Sequence, residues 1–192
     1  MRKSALRSYG VVAVVLASLG FAGVTVAQSG KTPEAILVEM GYEEINGKPP
    51  KPFGNYHNAT VVGKLVYVST AGPQDVNGVF GKKGWFVKGR FGEKFKADKQ
   101  GALLAEISCV RMLRFLKARI GELSRVKRIV KVDVNVLATP NFTKITPVAN
   151  GCSDFLVKVF GKERGVHARA IGGKTSLPFG MAIEIDAIVE LK

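Results

Sequence analysis

The clearest alternation of hydrophobic and polar positions lies at the C-terminal end of the chain. In residues 183–191 every second side chain is apolar, and Glu184, Asp186 and Glu190 stand between the apolar positions. A repeat of two residues is typical of a β-strand with one buried face. We therefore predict a half-buried strand that carries carboxylates on its second face.

A second segment with strand character, residues 166–171, precedes this strand. It places His167, Arg169 and Ile171 on a common side. The proline and glycine of residues 177–180 favour a turn between the two segments. We expect the segments to pair as neighbouring strands, so that Arg169 and the carboxylates of the last strand share one pocket.

Two longer segments repeat their apolar residues at steps of three and four, which is the pattern of an amphipathic helix. Residues 97–120 form the first, with Arg111 among the charged residues placed away from the apolar face, and Gly121 ends it. The second follows Asn141, which we predict as its N-cap, and its apolar positions continue to Val159.

The remaining sheet segments lie before and between these helices. Residues 59–62 and 65–69 predict a hairpin turned at Gly63 and Lys64, and residues 130–136 predict a strand with one dry face. This order predicts an α+β fold, with a mixed, antiparallel-rich sheet and two helices on one face. The other face would be bare, and such sheets commonly cover it by assembling.

The N-terminal part of the chain is interpreted as three successive pieces. Residues 1–27 join basic residues to an apolar run ending in small residues, which is typical of a secretory signal peptide. A retained membrane anchor is the alternative, although the run is short for a bilayer span. Residues 28–55 contain a short helix capped by Thr32 and a proline-rich linker, and residues 56–192 form the main domain. We expect an exported protein, either periplasmic or secreted.

The chain is strongly basic, with 29 lysines and arginines, 15 acidic residues and a formal net charge of +14. Clustered positive charge can indicate a polyanion partner. Here the charges are spread over residues 82–96 and 111–131, without a recognised nucleic-acid motif. We therefore expect solubility or adhesion to anionic surfaces rather than a specific nucleic-acid partner.

Several classes of chemistry have no motif in this sequence. It contains no Gly-x-Ser-x-Gly elbow, phosphate-binding loop, dinucleotide fingerprint or metal-binding His-Glu pair. We therefore expect no metal and no cofactor.

Cys109 and Cys152 fall at apolar positions of the two predicted helices, and they could form a disulfide if those helices pack side by side. Otherwise they are buried thiols.

Residues 56–192 resemble the Rid family, the YjgF-type reactive intermediate deaminases, whose folds are similar to those of trimeric chorismate mutases. The resemblance is carried by Arg169, the Leu177-Pro178 turn and the acidic strand of residues 183–188, together with Asn150-Gly151 in the preceding helix. It implies a barrel-like homotrimer with a site between subunits. It also implies a small carboxylate substrate, a 2-imino or 2-enamino acid that is hydrolysed to a 2-keto acid and ammonia.

The resemblance implies two catalytic residues. Arg169 would hold the substrate carboxylate, and Glu184 would direct water to the imine carbon. His167 lies on the side of Arg169, and we expect it to be structural. From the residues alone, Arg169 and Glu184 can instead be a sheet arginine and an exposed acid that pair with each other.

Five further residues would bind the substrate according to the resemblance. Tyr56 would cover the ligand and Asn150 would bond to it, both across the subunit boundary. The backbone near Thr70, Gly72 and Ile171 would form a cradle, although family members carry glycine at the position of Thr70.

Two other functions remain open from the sequence. The chain could be a non-catalytic periplasmic module that binds small carboxylates through Arg169. It could also act on RNA, because some members of the family carry an endoribonuclease label and this chain is basic. A binding module would show affinity without turnover, whereas RNA binding would weaken with salt and depend on the charges of residues 82–96.

Overall fold

The computed structural model describes residues 30–49 and 51–192. The predicted signal or anchor segment, residues 1–27, lies outside the described residues. Among the helices of these two ranges, none combines the length and the apolar character that a membrane span needs.

The described chain folds into α-helices and β-strands that alternate along the sequence. They are α1 (Pro33–Glu39), β1 (Ala59–Val62), β2 (Leu65–Ala71), α2 (Lys99–Ile120), β3 (Val126–Leu137), α3 (Ile145–Gly165), β4 (Ala168–Lys174) and β5 (Ile183–Leu191). Short 3-10 helices occupy Glu43–Asn46, Leu123–Arg125 and Pro178–Gly180. The predicted α+β class is confirmed, and so is the hairpin of β1 and β2.

The strands form one mixed sheet in the order β1-β2-β5-β3-β4. Only β3 and β4 run parallel, and the other neighbours are antiparallel. The apolar side chains of β3 and β5 that alternate toward α2 and α3 are buried, whereas Glu184 and Asp186 on the opposite face are half-buried. The predicted alternation of β5 is therefore confirmed.

The expectation that β4 and β5 are neighbours is wrong. Both strands pair with β3, which lies between them: Val132 is opposite Arg169 on one side and opposite Ala187 on the other. The reason is the long connection through α3, because a crossover helix allows β4 to join β3 in parallel as an edge strand. Arg169 and the carboxylates of β5 are therefore separated by a strand.

The predicted N-cap of α3, Asn141, is also wrong. The helix begins at Ile145, and the residues before it form turns in which Phe142 donates to the carbonyl of Thr139. Pro147 explains the later start, because it has no amide hydrogen and fits only in the first turn of a helix. A helix that began after Asn141 would place this proline in its interior.

The buried surface of α2 differs from the sequence prediction. Leu103, expected in the core, is 39% exposed, whereas Arg111, expected outside it, is 6% exposed. Because α2 packs against both the sheet and α3, it is buried over more than one face. Arg111 consequently lies inside the protein.

The two long helices approach each other closely at Gly151. A Cβ atom at this position would overlap the backbone of Ala102 on α2, so only glycine permits this packing. One residue further, Cys152 forms a disulfide with Cys109, and their Cα atoms are 5.5 Å apart. The disulfide considered from the sequence is thus formed in the structure.

The segment before β1 lies along α2. The Arg114 guanidinium donates to the carbonyl of Lys48 at 2.9 Å, and the ammonium of Lys117 donates to Asn46 at 2.8 Å. At the other end of the segment, the backbone amide of Leu123 donates to the Glu34 carboxylate at 2.7 Å. These contacts bring residues 51–56 to the end of the sheet.

We expect reduction of the disulfide to lower the free energy of unfolding by about 4 kcal/mol, because the bond closes a loop of 43 residues in the unfolded chain. Urea unfolding with and without dithiothreitol measures the difference. The double variant Cys109→Ala/Cys152→Ala is the control, and its midpoint should not respond to the reductant. Identical midpoints for the wild-type protein under both conditions would contradict the prediction.

Candidate functional site

A cavity of about 440 Å³ opens where β2 and β5 meet the segment before β1. Four of the predicted site residues line it: Tyr56, Thr70, Gly72 and Glu184. We call these four residues the cavity group. The rest of the wall comes from Lys51, Phe53, Asn58, Ser69, Phe86, Arg111, Phe115, Pro178, Phe179 and Met181.

An irregularity in β2 brings its backbone to this cavity. The pairing of β2 with β5 shifts register between Val68 and Ala71, so that Ser69 and Thr70 leave the regular ladder. Such bulges turn a strand and redirect its side chains. Ser69 still donates its amide to the carbonyl of Asn58 at 2.8 Å, whereas Thr70 is exposed. The exposed Thr70 side chain therefore lies at the cavity, at the position where the resemblance led us to expect glycine.

A residue larger than glycine at position 72 would clash with its surroundings. A Cβ atom there would overlap the side chain of Met181 and lie 3.2 Å from the carbonyl oxygen of Ile183. Met181 also lines the cavity, so a side chain at position 72 would displace part of its wall. Glycine therefore permits this close approach, and a larger residue would require Met181 to move.

Glu184 supplies an acidic group to the cavity. Burial raises its pKa above the ordinary value, and the neighbouring charge of Asp186 raises it further. Asp186 lies on the same face, directly opposite Asp133 in the register of β3 and β5. A carboxyl group with a raised pKa binds protons more strongly than an exposed one, which suits a group that accepts a proton from water.

An aromatic wall was not predicted from the sequence. The ring centroids of Phe53 and Phe179 are 4.9 Å apart, and Phe86 stacks on Phe179 at 5.6 Å. Tyr56 adds a fourth ring, and its hydroxyl accepts a hydrogen bond from the amide of Phe53 at 3.3 Å. Phe86 belongs to the loop of residues 74–96, and it gives that loop a part in the cavity.

Arg111 is the second feature that the sequence analysis missed. Its guanidinium carbon lies 4.7 Å from the ring centroid of Phe86 and 5.4 Å from that of Phe115. Burial, with a smaller contribution from Arg114, lowers the pKa of Arg111 to about 10, and Tyr56 opposes that shift. The spacing of Arg111 and Phe115, one helical turn apart, was the available signal for this stacking.

The other predicted residues, Asn150, Arg169 and Ile171, lie at the edge of the sheet. We call them the edge group. One nitrogen of the Arg169 guanidinium, Nη1, donates to Asn150 Oδ1 and to Ser153 Oγ, both at 2.9 Å. Ile171 is 40% exposed on the edge strand. Helix α3 therefore holds the arginine on the helix side of β4.

His167 extends this hydrogen-bond network. Its Nδ1 lies 2.7 Å from the carbonyl oxygen of Gly165, which can only accept, so Nδ1 carries the proton in the neutral ring. Nε2 then accepts from the Ser153 hydroxyl at 3.2 Å. Burial lowers the pKa of His167, the Gly165 hydrogen bond opposes this, and Arg169 lowers it further. The arrangement supports the expected structural role of His167, which is to orient Ser153 toward Arg169.

The seven predicted residues thus form two groups rather than one pocket within a chain. The cavity group includes Glu184 on the half-buried face of β5, whereas Arg169 of the edge group contacts α3 on the other side of the sheet. Strand β3 separates them, and neighbouring strands lie about 4.8 Å apart. A single chain therefore does not bring Arg169 and Glu184 together.

The chain is similar to several known proteins. It is 38% identical to Protein TCP17 of Trypanosoma cruzi over 141 residues, which cover 73% of this chain and 83% of that protein. The crystal structure of Atu1372 from Agrobacterium tumefaciens, a protein of unknown function, matches with 34% identity and a TM-score of 0.70. That match covers 84% of this chain and 94% of the other chain.

A third match connects the fold with a described activity. The structure of a candidate endoribonuclease from Shewanella oneidensis MR-1 has 25% identity and a TM-score of 0.73, covering 84% of this chain and 100% of that chain. No family model matches the chain. Each of the three similarities covers between 73% and 84% of this chain.

We expect the stability of the protein to fall at acidic pH through His167. The folded state favours the neutral ring, so this contribution is complete above the ordinary pKa of 6.5 and is lost as the pH falls through the lower pKa of the folded protein. Urea unfolding of the wild-type protein and of His167→Gln over this range measures it. The stability difference between the two proteins should shrink toward acidic pH, and a constant difference would contradict the prediction.

Proposed function

The chain belongs to the YjgF/RidA family of L-PSP endoribonuclease-like proteins, and we propose that it hydrolyses reactive 2-imino or 2-enamino acids to 2-keto acids and ammonia. The observation that carries this proposal is Glu184, a carboxyl group with a raised pKa that lines a cavity beside the displaced backbone of Ser69 and Thr70. A carboxyl group in such a place is suited to general acid–base chemistry on a small substrate.

The site is completed, in this proposal, by a homotrimer in which the edge group of one copy faces the cavity group of its neighbour. Two features support this arrangement. One face of the sheet is only half-buried, and β4 is an edge strand with Ile171 exposed. Edge strands and partly bare sheet faces are commonly covered by assembly.

Arg169 would bind the substrate carboxylate. Its Nη1 atom is engaged by Asn150 and Ser153, and within the described residues its other guanidinium nitrogens make no hydrogen bond to protein. A guanidinium held in this way presents a fixed pair of donors that match the two oxygens of a carboxylate. The hydrogen-bond network would therefore orient the arginine before the substrate arrives.

Glu184 would act on the water. The carboxylate accepts a proton from water as the oxygen forms a bond to the imine carbon, and it passes this proton to the imine nitrogen, which becomes an amine. The hydroxyl proton of the resulting carbinolamine is then transferred through Glu184 to the nitrogen. The C–N bond breaks, ammonia leaves, and the oxygen becomes the carbonyl of the 2-keto acid. One water is consumed for each ammonia released, without any redox change. Because imines hydrolyse readily, orientation of the reactants supplies much of the required effect.

A binding module without turnover is the second candidate, favoured by Thr70. Its exposed side chain lies at the cavity where the family resemblance expects glycine. An RNA-acting protein is a weaker candidate, favoured by the net charge of +14 and by the endoribonuclease description of the Shewanella protein.

We also propose that the protein is exported, and the disulfide of Cys109 and Cys152 supports an oxidising compartment.

Hydrolysis of an imine generated in situ, followed by semicarbazide trapping, tests the deaminase proposal. We expect Arg169→Ala and Glu184→Gln each to lower kcat/KM by roughly 100-fold or more, because each removes a group that orients or activates a reactant. The matched control is Glu190→Gln, on the same strand but paired with Lys127 and Arg128 away from the cavity.

Glu190→Gln should retain wild-type activity. Equal rates for the wild-type protein and Arg169→Ala would contradict the deaminase proposal. Carboxylate binding that depends on Arg169 without measurable turnover would instead support the binding module. Salt-sensitive RNA binding that depends on the lysines of residues 82–96 would support the third candidate.

A further inference from the structure

Arg111 is a buried cation for which the described part of the chain provides no ion-pair partner. It is 6% exposed, and its Nε atom is fully enclosed without a hydrogen bond. Within residues 30–49 and 51–192 the guanidinium forms no ion pair. Buried arginines are rare unless they are paired, because removal of the charge from water is costly.

The surroundings of Arg111 compensate for only part of this cost. Its guanidinium lies over the rings of Phe86 and Phe115, and contacts of this kind stabilise a cation through its flat faces. They leave the N–H groups at the rim of the guanidinium available. These donors can be satisfied by an anion that enters from the cavity.

The cavity offers room for a larger ligand than the smallest imino acids. Its volume of about 440 Å³ falls within the range of roughly 300–1,000 Å³ that is usual for sites of drug-sized ligands. Lys51 and Arg111 both line it, and Glu184 is its acidic lining residue. Since Glu184 and Arg111 form no ion pair, a ligand group can lie between them.

We propose that Arg111 binds a second anionic group of the substrate, so that the site takes dianionic 2-imino acids. The side-chain carboxylate of the substrate lies on Arg111, with its methylene groups against Phe53 and Phe86. The carboxylate next to the imine carbon is held by Arg169 of a neighbouring copy. This second contact rests on the proposed function, whereas the anion site at Arg111 depends on the cavity alone.

Binding of two 2-keto acids, the products of the proposed reaction, tests this inference. We expect isothermal titration calorimetry to show that the wild-type protein binds 2-oxoglutarate roughly 10- to 100-fold more tightly than 2-oxobutanoate, because a charge-assisted pair is added. Arg111→Met should remove this preference, so that the ratio of the two affinities approaches one. Methionine matches the length of the buried side chain and is tolerated at such positions.

Two further variants serve as controls. Arg119→Met removes an exposed arginine of the same helix that does not line the cavity, and it should keep the wild-type preference. Arg111→Lys keeps the charge without the paired donors, and it should retain part of the preference. Thermal denaturation of each variant verifies folding before the titrations.

Equal wild-type affinity for the two acids would overturn the inference, and so would a preference that survives in Arg111→Met. The deaminase proposal is tested separately, by the imine turnover of Arg169→Ala. If Arg169→Ala leaves imine turnover unchanged while Arg111→Met still removes the preference for 2-oxoglutarate, the anion site stands and the proposed reaction fails. If Arg169→Ala loses imine turnover and Arg111→Met loses the preference for 2-oxoglutarate, both proposals are supported.

Discussion

The parallel pairing of β4 with β3 is the constraint on which the candidate site depends. It places Arg169 on an edge strand, opposite Val132, with β3 between it and the carboxylates of β5. Helix α3 then fixes the guanidinium through Asn150 and Ser153. An arginine held firmly at a sheet edge, with no acidic partner among the residues that the structure describes, is available to bind a group outside its own chain.

The cavity group lies on the other side of the sheet, and the pairing of β4 with β3 separates it from Arg169 of the same chain. The displaced backbone of Ser69 and Thr70, the close approach at Gly72 and the raised pKa of Glu184 lie together in the cavity where, in our proposal, a small acid is bound and hydrated. What this group lacks is the arginine at the sheet edge. Arg111 is buried against the ring of Phe86. In our proposal it binds the side-chain carboxylate of the substrate rather than the carboxylate next to the imine carbon.

Much of the fold could be predicted from the sequence, because the alternation in residues 183–191 and the helical periods reflect local burial. Strand order could not be predicted in the same way. The turn of residues 177–180 suggested direct pairing, but a connection of that length also passes across the end of β3. Arg111 was missed for a related reason: helical periodicity identifies one apolar face, whereas α2 is buried on more than one.

The central claim is that Arg169 and Glu184 act together only across two copies of the chain, and mixing two inactive variants tests it most directly. Arg169→Ala and Glu184→Gln, unfolded together and refolded as mixed assemblies, should regain about a quarter of wild-type imine turnover, because random assembly restores one intact pairing in four. Refolding of each variant alone should give no recovery. A mixture no more active than its separate components would contradict the account.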